Sequence, residues 1–556
     1  MKPSGNLESW MLGAAAVAVL CLVPADGVTA GGPGASRTPG ATARAASAGA
    51  VAAGRATVAT ARAASAGAAA AGRATGATPA AAPGAASPAS QAAPANGTSA
   101  PAPTSATTPT TATTGANGAS AANAANSEPP PQPGLYLGPT TCGSSSCHGS
   151  VVPRQTLGVR QDEYFIWQKR DLHAQAYGVL FNDRSRIIAR RLGIAQPGAS
   201  DACVGCHALS VPARLRRGPL EIEDGVSCES CHGAASGWLE GHRSESWTHQ
   251  QSVTAGMTDL RDIGVRSAIC LSCHLGAADK TVNHDLIAAG HPVLAFELDN
   301  YSEAMPAHWL PFAQRRANAG EADTHGVRAW AVGQAASFRS ALDQLARRAR
   351  AGGDRWPEFT DLSCDACHHS LAQERWRTAR PADLPGEPGR PGRPGLPRFS
   401  LAHYAVLRHL VAVAAPERQA ALDGGVDRLA GQLARFDTPP AEVAATAEQL
   451  SRQAADLAAR LDRMRWDDAQ ARRLLLAVAL DEGGLEVADY SSAQQAALAV
   501  QTLVSQLQAG DPRRLHAGLA AAAEGLAAEL QSAYDFNAGR FADRLAQLGR
   551  QLQPAP

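Results

Sequence analysis

Ten of the 11 cysteines form five pairs, and each pair is followed at once by a histidine. The pairs are Cys142/Cys147 before His148, Cys203/Cys206 before His207, Cys228/Cys231 before His232, Cys270/Cys273 before His274 and Cys364/Cys367 before His368. Four read C-x-x-C-H; the first is widened to C-x4-C-H. Two thiols so spaced can add across the vinyl groups of a porphyrin, and the adjacent histidine then sits beneath the ring as an axial iron ligand. Five such sites, numbered one to five in chain order, point to five covalently bound haem c groups.

Other uses of paired cysteines fit less well. C-x-x-C pairs make zinc ribbons and redox dithiols, and Cys203, Cys206, Cys228 and Cys231 alone could pass for a four-cysteine zinc site. Zinc does not require a histidine directly after every second cysteine, and five pairs do not divide into fours. A disulfide framework would not generate the histidines either.

Each iron has a second axial position. The five motif histidines leave eleven of the 16 in the chain. His173 lies in an aromatic-rich amphipathic pattern with Tyr164, Trp167 and Leu172, which could wall a haem. His242 lies ten residues past a motif histidine, and so does His284. His291 follows His284 by seven residues, about 10 Å along a helix and on nearly the same face, so the two could serve different irons. With His308 these are the candidate distal ligands. His369, next to His368 and pointing elsewhere, could bind another haem or a propionate; His249 and His325 are weaker candidates, and His403, His409 and His516 are less favoured. Met257 and Met305 are alternative donors, but the abundance of histidine makes bis-histidine ligation and low potentials the expectation. Arg184, Arg186, Arg190 and Arg191 suit haem propionates or form a solvated helix face.

Several segments resemble a known family. HAQAY from His173, DGVSCESCHG from Asp224, NHDLIAAGHP from Asn283 and CDACHH from Cys364 are similar to the multihaem cytochromes c with a cytochrome c-554-like (cytochrome c-552/4) domain. The similarity covers about residues 138–380. It implies a mostly helical, loop-rich fold with haems packed in stacked and perpendicular pairs, and His173 as a distal ligand. The best-studied members carry electrons away from hydroxylamine oxidation. Five sites depart from the tetrahaem members. The related pentahaem nitrite reductases use a lysine-ligated catalytic haem; no motif here ends in lysine, and the only lysines are Lys2, Lys169 and Lys280.

The elements around the sites fall into blocks. A short apolar run over residues 11–23, holding the leftover Cys21, precedes Val28-Thr-Ala30 and reads as a signal peptide, 1–30. An uncleaved membrane anchor is the alternative. Residues 31–134 are Ala, Gly, Thr, Ser and Pro with local duplications; with little apolar surface to bury, disorder is expected. Five arginines and no acid between residues 31 and 127 make this tail a plain tether or a weak contact with wall or membrane. Residues 135–380 hold the pentahaem domain, and 381–397, with Gly-x-Pro triplets from Gly386, an extended linker. Residues 398–556 lack cysteine and read as a helical bundle. Leu450, Ala454, Leu457, Leu461 and Met464 make one stripe, and Phe541, Leu545, Leu548 and Leu552 another. Thr438 suits an N-cap before Pro439, and Ser492 with Gln495 a capping box. The bundle is expected to dock on the haem domain or bind a partner without a cofactor.

Lysine plus arginine and aspartate plus glutamate stand at 50 each, so there is no nucleic-acid footprint. The expectation is a mainly α chain: an exported, periplasmic pentahaem electron carrier with redox proteins as partners. The alternative is a multihaem oxidoreductase with one open haem acting on a small nitrogen or sulfur compound.

Overall fold

The computed structural model describes residues 134–154, 159–309, 325–353, 356–368, 398–435, 437–481, 484, 489–510 and 517–553. The leader, almost all of the tail, the Gly-x-Pro linker, His369 and His516 lie outside them. Within them the chain is helical and loop-rich; no strand forms, and two isolated bridges, Tyr136 with Arg216 and Leu362 with Phe399, are the β pairing. No described helix is long and apolar enough to cross a membrane.

The site-bearing part uses short helices: α1 Pro139–Cys142, α2 Glu163–Arg170, α3 Asp183–Arg191, α4 Asp201–His207, α5 Cys228–His232, α6 His249–Thr254, α7 Ile263–His274, α8 His284–Ala288 and α9 Leu298–Ala304. Longer ones follow: α10 His325–Ala351, α11 Leu407–Ala414, α12 Pro416–Leu433, α13 Pro440–Arg463, α14 Asp468–Ala479, α15 Tyr490–Gly510, α16 Ala517–Ala528 and α17 Ala538–Leu552.

The longer helices form because their apolar residues recur every three or four positions. In α13, Val443, Ala447, Leu450, Ala454, Leu457 and Leu461 are buried; in α17, Phe541, Leu545, Leu548 and Leu552 are. Both stripes expected from the sequence face the core. Helix α10 lies within the stretch read as haem domain, yet it packs along α13, with α7, α9 and α15 also against it. One apolar cluster therefore runs from Ile263 to Leu552. A Cβ on Gly333 of α10 would sit 2.8 Å from Leu298 Cβ, so the crossing of α9 and α10 needs glycine.

Four local expectations are corrected. Helix α13 begins at Pro440, with Pro439 at the cap, because two consecutive prolines shift the start by one residue; the buried Thr438 hydroxyl caps nothing. Helix α15 begins at Tyr490, and Asp489 caps it by accepting from Ser492 N at 2.8 Å. Ser492 and Gln495 are buried inside that helix. The pattern from Tyr164 to Tyr177 is not one helix: α2 ends at Arg170, and Asp171 starts a 3-10 turn over Leu172–Gln175. Likewise His284 and His291 do not share a helix, because α8 ends at Ala288 and Gly290 has φ 117°.

The first four sites stand in a segment with little apolar core. Outside the large cluster, the second core consists of Leu180, Val204 and Ala208. In its place is a cavity of about 2310 Å³.

Candidate haem-binding site

The motif histidines of sites two, three and four end helices α4, α5 and α7. Helix geometry thereby puts both thiols and the imidazole on one side of a single turn. Gly233, with φ 79°, turns the chain sharply just beyond His232, a conformation that costs glycine little. Site one reaches the same closure despite its two extra residues: His148 N donates to Cys142 O at 3.1 Å, as His368 N does to Cys364 O at 2.7 Å. Inside the loop that this bond closes, residues 145–148 form a turn, with Cys147 N donating to Ser144 O at 2.8 Å.

Four motif histidines each face a second imidazole. Ring centroids are 6.3 Å apart for His148 and His242, 6.5 Å for His207 and His291, 6.1 Å for His274 and His173, and 6.2 Å for His368 and His284. An iron bound at about 2 Å by a nitrogen of each ring, with each ring centre about 1 Å further back, needs roughly 6 Å between centroids. His308 is close enough to His232 to disfavour its protonation, but its own ring packs edge-on against Trp309. Four of the five expected distal histidines thus face a motif imidazole, and His308 lies within electrostatic reach of His232.

Ring nitrogens are held in a way that leaves Nε2 for a metal. Nδ1 donates to a carbonyl in His207 (Ala176 O, 2.9 Å), His291 (Pro292 O, 2.8 Å) and His242 (Leu239 O, 2.5 Å). It donates to a carboxylate in His148 (Glu163, 3.0 Å) and His173 (Asp171, 2.9 Å). Such second hydrogen bonds fix the tautomer and orientation of metal-binding histidines. His249 is the reverse: its Nε2 meets Asp259 at 2.9 Å. In the bundle, His409 lies by Asp481, and burial pulls His403 down to about 4. Burial also pulls His232 and His274 down to about 4, the neutral form that binds metal.

The cavity is lined by the cysteines and histidines of sites one to four, together with His173, His242, His291 and His308. Met257 and Met305 also reach it, as do Tyr164, Trp167 and Leu172. One small-molecule site occupies about 300–1,000 Å³, so this space suits several large planar groups. Sulfurs of neighbouring sites meet across it. A thiol hydrogen bond lowers Cys142 and raises Cys228; another raises Cys206 and lowers Cys273 to about 5. Cys231 lies within electrostatic reach of Cys270. The row of sites is therefore one, three, four, two. The donor set, the spacing and the cavity all fit haem.

Residues 142–233 match the family model of cytochrome c554 and c-prime. This part of the chain is a cytochrome c554-like domain. No curated protein and no solved structure matches the chain. The cytochrome c554-like domain is that of a haem-based electron-transfer cytochrome, and its haem c is covalently bound. The match spans sites one to three; sites four and five lie beyond it.

Some positioning residues escaped the sequence reading. Glu229, inside the third motif, accepts from the backbone of Leu137, Gly138 and Ala235 at 2.8–3.0 Å, which ties the approach to site one onto site three. Arg184 and Arg191 of α3 donate to Gly290 O and Ala289 O and so brace the turn that carries His291. Arg186 pairs with Asp183. At site five, His284 N donates to Glu358, and Ser363 donates to Asp489, the cap of α15. The signal for Glu163 and Asp171 was present: each is an acid within a few residues of an aromatic or histidine in the resembling segment.

Proposed function

We propose that the chain is an exported pentahaem electron carrier with bis-histidine irons. The ligand pairs are His148/His242, His207/His291, His232/His308, His274/His173 and His368/His284, with thioether bonds from Cys142, Cys147, Cys203, Cys206, Cys228, Cys231, Cys270, Cys273, Cys364 and Cys367. The observation that carries the reading is the recurrent spacing of 6.1–6.5 Å between a motif imidazole and a second one. Bound haem supplies an iron that changes oxidation state with its six ligands in place. The chain supplies rings locked by hydrogen bonds, so little has to move when an electron arrives. Export, removal of the leader near Ala30, tethering by residues 31–134 and docking to redox proteins belong to the same reading. Covalent haem attachment outside the cytoplasmic membrane supports it.

Intact mass of the protein isolated from the periplasm tests it. Five haem additions on a chain beginning after Ala30 are expected. Four additions would leave the widened first site unloaded, and an intact Met1 would replace the exported form by an anchored one.

A second reading, an oxidoreductase with one open haem, is favoured by one observation. Among the described residues no ring stacks against His232, and His308 packs on Trp309 instead. Nitric oxide binding at one haem, with turnover of a small nitrogen compound, would establish it.

A further inference from the structure

The hydrogen bonds behind the axial histidines differ between sites. At site two both are neutral: His207 and His291 donate to backbone carbonyls at 2.9 and 2.8 Å. At site one His242 donates to a carbonyl, but His148 donates to Glu163 Oε2 at 3.0 Å. At site four His173 donates to Asp171 Oδ1 at 2.9 Å. Both carboxylates are fixed. Glu163 Oε1 accepts from Arg160 N at 2.9 Å, and Asp171, 4 % exposed, accepts from His173 N at 3.0 Å.

A carboxylate at Nδ1 makes an imidazole a more basic ligand than a carbonyl does, and adds a negative charge near the iron. Both effects favour ferric over ferrous iron and lower the potential. Lys280 Nζ, 3.6 Å from Cys273 Sγ, works the other way, but it lies between sites two and four, within electrostatic reach of Cys206, and so acts on both.

We propose that Glu163 and Asp171 direct electron flow along the row one, three, four, two, by holding the irons of sites one and four at lower potential than that of site two. This rests on the bis-histidine reading above. Electrons then collect at site two. Each net transfer is a one-electron exchange: ferrous iron at site one or four becomes ferric as ferric iron at site two becomes ferrous. No bond is made or broken, and the carboxylates keep their hydrogen bonds throughout. Glu163 and Asp171 are positioning residues, since they act through the histidines.

The test is a redox titration of the full-length haem-loaded protein, followed optically and by electron paramagnetic resonance. The variants Glu163→Gln and Asp171→Asn keep an acceptor at Nδ1 and remove the charge. In each, one midpoint is expected to rise, with about a tenfold larger ferrous-to-ferric ratio of that haem at fixed potential, about 59 mV for one electron. The haem moved by Asp171→Asn should be the one turned high-spin by His173→Ala, and Glu163→Gln should move a different one. In the unaltered protein, the haem turned high-spin by His291→Ala should be reduced before both. Unmoved midpoints in both variants, with five low-spin haems retained, would overturn the proposal. So would a site-two haem reduced after the other two. Missing haem, or high-spin iron at sites one and four before any substitution, would instead overturn the bis-histidine reading beneath it.

Discussion

An imidazole near an iron is a ligand only if the right nitrogen is free and the ring is held. Here Nδ1 of His148, His173, His207, His242 and His291 is tied to an oxygen of the chain. His249, whose Nε2 is tied instead, is removed from the candidates by the same argument. The candidates themselves could be read from spacing and aromatic neighbours. The pairing could not, because each pair joins residues far apart in the chain and is set by how short helices fold around a cavity. Residue chemistry also reaches stability behind site four. Phe296 stacks on His274 at 5.0 Å, and Asp299 follows on α9, where burial and the nearby Glu297 and Glu303 push it up to about 8. The folded chain therefore holds a proton there that the unfolded chain releases above its ordinary value near 4. Stability should fall as pH rises from about 4 to about 8, and the loss should be complete above that. Urea titrations across this range should show Asp299→Asn flattening that part of the slope. An unchanged slope would contradict the raised value.

Helices set the register of the sites. The stripes in α13 and α17 were legible because an apolar face repeats every three or four residues whatever it packs on. Helix starts were less so, because several capping residues compete within two or three positions: Asp489, not Ser492, caps α15, and Pro440, not Pro439, opens α13. Asp489 does more than cap. One oxygen accepts from Ser492 N at 2.8 Å and the other from the Ser363 hydroxyl at 2.7 Å, next to Cys364. Asp489→Ala should cost about 1–2 kcal/mol for the lost cap and also perturb the absorption and midpoint of one haem, that of site five. Thermal unfolding and a redox titration of the same variant read the two effects. A loss of stability with every haem unmoved would leave Asp489 as a cap alone.

The whole molecule divides by what fills it. Helices α7 and α9 to α17 contribute to one apolar cluster of ordinary side chains, whereas sites one to four surround open space beside a core of Leu180, Val204 and Ala208. That contrast was partly visible in the sequence, where the cysteine-rich part is loop-rich and the last part is periodic. The extension of the cluster back through α10 and α7 to Ile263 was not, since α10 precedes the last motif. Chain made without haem attachment should accordingly keep most of the circular-dichroism helix signal of α10 to α17. Amide exchange should be fast over residues 134–262, where too little apolar surface is buried to offset the ordering of the chain. Uniform protection across both parts would contradict a haem-filled core.

Bis-histidine ligation puts an imidazole on both faces of the irons, and the paired ring planes are near parallel at site one (7°) and site five (28°) and near perpendicular at site two (84°) and site four (88°). Low-temperature electron paramagnetic resonance of the oxidised protein, quantified against haem iron, measures both properties at once. Low-spin iron is expected at four or more of five haems, with rhombic signals from parallel rings and strongly anisotropic ones from perpendicular rings. High-spin iron at two or more haems per chain, or low-spin iron of a single class, would contradict it.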